Sequence, residues 1–368
     1  SFSFIPIMIP LAAGKGVDGL AAIFTGVFIG GLFHIFLGIF VRKIRFALPP
    51  LVTGLVIMMI GLSLIRVGVQ YAAGGPETVG TPEYGSLLNW STALLVIFVT
   101  LSLKFFGRGM LSVSAVLIGI LAGYAYTILV GILPISTIAT SWNNAAAFAL
   151  PQPFKYGFEF SAAAIIGFSL MAFVSAIETV GDVSATTKSG AGREATDREI
   201  QGATYADGLG STIAAIFGAM SNTSLSQNVG LIAMTGIMSR QVVTIGALFL
   251  IICGLIPKVG GLIGSMPIEV LGGGVIVMFG MVVAAGVSIL SDVNWNRRNM
   301  VIFAIALSIG LGLQLEPSTI ASLPDTPRIL LTSGMLPAAL IAIILNLALP
   351  AELSEESAEA LSDHFDQD

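Results

Sequence analysis

The stretch Ser224-Leu225-Ser226-Gln227-Asn228-Val229-Gly230-Leu231-Ile232-Ala233-Met234-Thr235-Gly236 places amides, hydroxyls and glycines inside a chain otherwise built for lipid. Hydrocarbon offers no partners to free backbone N–H and C=O groups. A polar, glycine-punctuated backbone at membrane depth is therefore tolerated only where protein covers it or a cavity adjoins it. The segment is also too short to span a bilayer, so it reads as a broken helix that carries a binding site.

The rest of the chain supplies the membrane context. Of 368 residues, 55% are hydrophobic and only 10% charged, against about 25% charged in an ordinary soluble domain. Mean hydropathy is +0.94, and the chain reads as an all-α polytopic membrane protein. A lone Cys253 excludes a disulfide framework, and two histidines, His34 and His364, make no cluster for zinc or haem. No metal and no cofactor are expected. The net charge of −5 points to no nucleic-acid partner, because seven acids crowd into the tail from Glu352 to Asp368. No HExxH, Walker or GxSxG motif occurs, which argues against an enzyme.

Apolar runs of near-spanning length lie at about 19–40, 47–69, 87–106, 110–131, 160–178, 240–256, 268–290, 299–313 and 330–349. Weaker, interrupted runs at about 1–13, 204–221 and 229–237 bring the expected count to about 12 segments. If loops alternate sides, 11 of the 16 basic residues fall together, among them Arg42, Lys104, Lys188, Arg193, Arg240 and Arg297. The positive-inside rule makes that side cytoplasmic and puts the acidic tail inside. Trp90, Trp142 and Trp295 suit the aromatic belts at the two surfaces.

Ser1-Phe2-Ser3-Phe4 and Ser224-Leu225-Ser226 both read Ser-x-Ser ahead of a short broken apolar piece. Paired interrupted segments in two halves point to a transporter of inverted repeats. The second repeat would begin near residue 160, and the counterparts of its first two segments would precede Ser1. The expectation is therefore of 14 segments in all, with about two lying before this chain's first residue.

Three carboxylates stand where lipid should discourage them. Glu178 and Asp182 close the apolar run of 160–178 at i, i+4 spacing, on one helix face. An acid at the bilayer centre costs about 2.5–3.5 kcal/mol on insertion scales, so it persists mainly where a cavity or partner receives it. Asp182 could instead be interfacial, beside a cytoplasmic loop. Asp207 opens the next segment and could cap it, or join Glu178 in a buried network across two antiparallel helices. Gly208 and Gly210 beside it argue for close packing, and Gly272-Gly273-Gly274 for close helix contact or a hinge.

Gln227 and Asn228 suit a planar heterocycle. A primary amide offers an acceptor and two donors in one plane, and a carboxylate accepts from a ring N–H. Gln227 reads as a direct contact and Asn228 as its support or as a cap of the following half-helix, with Ser226 beside them. Phe2 and Phe4 offer an aromatic face from the matching broken segment.

On these residues the chain resembles the nucleobase-ascorbate transporters, the nucleobase:cation symporter-2 family. Its signature [Gln/Glu/Pro]-Asn-x-Gly-x-x-x-x-Thr-[Arg/Lys/Gly] is met by Gln227, Asn228, Gly230, Thr235 and Gly236. The Glu178-Thr179-x-Gly181-Asp182 and Asp207-Gly208-Leu209-Gly210 runs, and Ser1 to Phe4, resemble further family motifs in order. The resemblance implies a 7+7 inverted-repeat fold with two short strands meeting at the midplane. It implies a core domain (1–45 and 159–257) that carries substrate and a gate domain (46–158 and 258–349) that dimerises, followed by a tail at 350–368. It also implies that Glu178 and Gln227 anchor a purine and that Asn228 supports them. Asp207 and Asp182 would belong to the network that couples a cation, expected to be a proton. Gln at 227 and Gly at 236 look like the xanthine and uric acid branch. A symporter in a bacterial inner membrane, working by alternating access, is the expectation. The rivals are a sulfate-permease-like anion transporter of the same fold and, from another class, an intramembrane enzyme.

Overall fold

A computed structural model of the chain describes residues 2–12, 16–226, 228, 229, 232 and 235–350. It is helical nearly throughout. The helices are α1 (Ile5–Ala12), α2 (Gly16–Ile44), α3 (Pro50–Ala72), α4 (Leu87–Phe106), α5 (Met110–Val113), α6 (Ala115–Leu129), α7 (Ile135–Asn144), α8 (Ala162–Ala191), α9 (Asp197–Ile216), α10 (Arg240–Gly254), α11 (Pro257–Gly264), α12 (Ile268–Leu290), α13 (Arg297–Leu315), α14 (Asp325–Thr332) and α15 (Met335–Ala348). Among the described residues there is no strand. Phe2–Phe4 is a single 3-10 turn, and 221–225 has no regular structure.

Six helices are long and apolar enough to cross a membrane, and they match the runs read at 19–40, 47–69, 87–106, 160–178, 268–290 and 299–313. Two further runs are broken. The run at 240–256 ends where α10 meets α11 at 84°, at Pro257, and the run at 330–349 is bent by 79° where α14 gives way to α15. Proline lacks the N–H that would continue the ladder, whereas at the second bend Gly334 adopts φ +75, a left-handed conformation that favours glycine.

One boundary differs from the sequence reading in a way that matters. α8 runs for 30 residues, so Glu178 and Asp182 lie in its interior and do not close it. The apolar run stops at 178, but the polar residues that follow are all compatible with a helix. The stop signal is Gly192, in the left-handed conformation (φ +65), whose N–H bonds the Lys188 carbonyl at 3.1 Å. α9 likewise begins earlier than the expected 204, at Asp197, where Thr196 and Glu199 form a capping box. Asp207 therefore stands ten residues inside α9 and caps nothing.

The described residues fall into two compact units. The first comprises 1–63, 153–230 and the described part from 282 onward; the second comprises 64–152 and 231–281. In the first, α2 packs along α8 and α9, and α13 along α15. Small residues let the α2 and α9 backbones approach, because a Cβ added at Gly208 would stand 2.6 Å from the Ile35 amide nitrogen. Such contacts hold helices together in lipid by dispersion, since lipid tails are as apolar as leucine. Phe168 of α8 is fully buried between them, facing Gly26 and Gly30 of α2.

In the second unit α4 packs along α6, and α7 against α11. Gly273 and Gly274 bring α12 against α4 and α6, where added Cβ atoms would meet the Ala93 carbonyl at 2.6 Å and Ile120 at 3.0 Å. The glycine triplet thus serves close packing. Trp142 lies beneath the Lys258 ammonium, 5.0 Å from the ring centroid.

Candidate functional site

α8 sets one polar stripe. Ser175, Glu178, Thr179 and Asp182 follow at i, i+3, i+4 and i+7, so all four share a face, and all are buried, Glu178 at 5% exposure and Asp182 at 2%. Opposite this stripe runs the irregular segment 221–226, with α9 beside it. An irregular backbone carries hydroxyls and free amides to where helices would present only side chains.

The stripe and the segment interlock. Ser175 Oγ donates to Thr223 Oγ1 at 3.2 Å, and Thr223 Oγ1 donates to Glu178 Oε2 at 3.4 Å. Ser224 Oγ and Ser226 Oγ both donate to Asp182 Oδ2, at 2.7 and 3.1 Å. Across the helix pair, Thr179 Oγ1 donates to Asp207 Oδ2 at 2.5 Å, and the Ser224 backbone N–H also serves the Asp207 carboxylate. The segment is fixed to α9 by Asn222, whose N–H donates to Ser211 Oγ at 2.9 Å. Three carboxylates from two helices are therefore held around one short stretch of chain by neutral donors. Among the described residues no group of three or more His, Cys, Asp or Glu could hold a metal ion.

Of the residues singled out from sequence, Glu178, Asp182, Asp207 and Ser226 come together in this cluster. Phe4 is 2% exposed and stacks on Phe168 with ring centroids 5.4 Å apart, so that face of its ring is taken. Asn228 is exposed and helical, its N–H bonded to the Leu225 carbonyl at 2.9 Å. Thr235 Oγ1 accepts from the Ile237 N–H, and Gly236 holds φ +66, a conformation that favours glycine. Gln227 and Gly230 lie outside the described residues, as does the side chain of Phe2.

Sequence reasoning passed over Ser175 and Thr223, and gave no individual role to Thr179 or to the hydroxyl of Ser224, although both stand in stretches it singled out. A signal for Ser175 and Thr179 was present: counting all polar residues of α8, instead of its charges alone, yields the same i, i+3, i+4, i+7 stripe. Thr223 carries no such signal, because irregular backbone has no period.

With this geometry in view, comparison with known proteins is informative. A family model described as the Permease family matches residues 1–319. The uric acid permease PucJ of Bacillus subtilis is 34% identical over 349 residues, covering 94% of this chain and 76% of its own length. The xanthine permease XanQ of Escherichia coli is 32% identical over 367 residues, covering 97% of this chain and 78% of its own. Among solved structures, the transmembrane domain of a cyanobacterial bicarbonate transporter, BicA, superposes with a TM-score of 0.45 at 13% identity, over 94% of this chain and 81% of that one.

Proposed function

Because the chain belongs to this permease family, the nucleobase-ascorbate transporters its motifs resemble, we propose that it carries a purine nucleobase, xanthine or uric acid or both, across the membrane by proton symport. The observation that carries the reading is the buried Glu178, tied through Thr223 to Ser175 and set beside Asp182 and Asp207 at a break in the helical backbone. Glu178 accepts from a ring N–H of the base. Gln227 pairs with its neighbouring N–H and C=O groups, Asn228 supports Gln227, and Phe2, Phe4 and Ser226 complete the wall. Gly230, Thr235 and Gly236 shape the backbone that follows.

Asp182 and Asp207 form the coupling network. Asp182 is buried and its Oδ1 has no hydrogen-bond partner among the described residues, so a proton arriving there gains an acceptor site not already filled by Ser224 or Ser226. Substrate and proton then bind to one connected set of hydrogen bonds, and occupancy by either alters the affinity for the other. The wider proposal is a homodimer in a bacterial inner membrane with a cytoplasmic C-terminus. Each protomer is a 7+7 inverted repeat whose core (1–45, 159–257) moves against its gate (46–158, 258–349), the broken segments contributing short strands at the midplane.

The sulfate-permease-like alternative is disfavoured by Glu178, since a buried carboxylate repels sulfate or bicarbonate. Uptake of labelled xanthine and urate into transporter-deficient cells tests the reading, with and without a collapsed proton gradient. We expect purine-selective uptake that needs the gradient and is abolished by Glu178→Ala. Near wild-type transport by that variant, or competition by inorganic anions and not by purines, would remove it.

A further inference from the structure

A cavity of about 450 Å³ lies within the first unit, at the end of α8 from which the basic loop departs. Pro49 and Thr53 at the start of α3, Gly181 and Ser184 of α8, and Ile289 at the end of α12 form its walls. Lys188 and Asp292 also line it, joined by a 2.8 Å ion pair with side chains 52% and 47% exposed, so they stand at its mouth.

Two features relate this cavity to the carboxylate cluster. Glu178, Gly181, Ala185 and Lys188 are spaced by three, four and three residues, which puts them on one face of α8. Ten residues of helix rise about 15 Å, so the α8 face that walls the cavity as far as Gly181 continues, one turn further, to Glu178, which is not itself a lining residue. Secondly, α8 lines the cavity with the small residues Gly181, Ser184 and Ala185, which leave room beside Ile289 of α12, and the pair stands across that room. The volume is within the range of about 300–1,000 Å³ typical of small-molecule sites.

We propose that this cavity is the vestibule through which the planar substrate passes between the Glu178 cluster and the basic side of the membrane, with Lys188 and Asp292 as the latch across its mouth. The inference rests on the transport reading above. A half-exposed ion pair suits a latch. Water and salt screen it, so it biases a closed state by a few-fold and can open in every cycle, where a buried pair would lock the passage. Once released, the Lys188 ammonium faces the cavity and attracts the electronegative carbonyl edge of an oxopurine. Ser184, whose hydroxyl is spent on the Val180 carbonyl at 2.7 Å, offers a wall position where a probe can be placed without touching the cluster.

The test introduces a thiol by Ser184→Cys in a Cys253→Ser background and measures its labelling by a membrane-impermeant maleimide in vesicles of each orientation. Asp292→Asn and Lys188→Gln should each speed labelling from the basic side about two- to fivefold, the bias expected of an exposed pair. The charge swap Lys188→Asp with Asp292→Lys should return the parent rate. Labelling that neither neutralisation changes, or that the swap fails to restore, overturns the latch. Labelled xanthine uptake in the same vesicles separates the two readings. Uptake with labelling indifferent to the pair removes the latch alone, whereas pair-dependent labelling with no purine uptake removes the transport reading and leaves the closed mouth standing.

Discussion

Thr179 and Asp207 join α8 to α9 through a 2.5 Å hydrogen bond from the threonine hydroxyl to the carboxylate. The bond needs both partners. Thr179 is fully buried, and the Ser175 carbonyl, 3.0 Å from its hydroxyl, is a second acceptor for the same proton, with the shorter contact going to the acid.

Thr179→Val keeps the shape and removes the donor. A hydrogen bond to a charged group contributes about 1.5–3 kcal/mol, so we expect a loss of stability of that order, read as a lower thermal midpoint of the solubilised protein, and a fall in uptake. Thr179→Ser should recover most of both. A valine variant as stable and as active as the parent would show that the α8 to α9 link has no energetic role.

Ser224 and Ser226 serve the same oxygen, Asp182 Oδ2. Losing one leaves the other, so Ser224→Ala and Ser226→Ala should each cost about 1 kcal/mol. The double variant leaves a 2% exposed carboxylate without those donors and should cost more than the sum, with a coupling of about 0.5–3 kcal/mol. A double-mutant cycle on thermal stability measures this. Strict additivity would mean that the two hydroxyls act on Asp182 independently.

Much of this architecture was legible in the sequence, because the bilayer imposes a length and a polarity that composition records directly. The six long helices followed from their apolar runs, and Gly208 announced a close crossing. Where the sequence misled, polar residues were the cause. Glu178 and Asp182 look like the end of a span only if burial is equated with apolarity; once Ser224, Ser226 and Thr223 supply donors, α8 continues through them to Gly192. The irregular segment 221–226 could be located by its composition but not shaped, since its hydroxyls bond according to tertiary position.

A pH effect is expected at the start of α9. The Arg193 guanidinium grips Glu199 at 2.6 and 2.9 Å, and the Thr196 N–H and hydroxyl add bonds at 2.8 Å; together they lower the carboxyl from 4.5 to about 2. A folded-state value depressed in this way stabilises the helix start above pH 4.5 and loses that contribution as pH falls through 2. Titration of a carbon-13-labelled Glu199 carboxyl by NMR should report the low value in the parent and a rise toward 4.5 in Arg193→Ala, since Arg193 is the largest cause. An unchanged titration in that variant would leave the Thr196 bonds alone responsible.

The α2 to α9 contact supplies the sharpest packing test. A Cβ on Gly208 would meet the Ile35 nitrogen at 2.6 Å and the Gly31 carbonyl at 2.9 Å; a Cβ on Gly31 would meet the Gly208 carbonyl at 2.9 Å in turn. Both obstacles are backbone and cannot rotate away, so the helices must separate along a line that also positions Asp207 against Thr179. Gly208→Ala should therefore cost about 1–3 kcal/mol, as overpacking does, and should lower uptake together with thermal stability. Gly202, on the same helix, has nothing within 4 Å of its added Cβ. Relieved of a glycine in a helix interior, Gly202→Ala should be neutral or gain up to about 1 kcal/mol. Equal behaviour of the two alanine variants would mean that helix propensity, and not the closeness of the crossing, governs this interface.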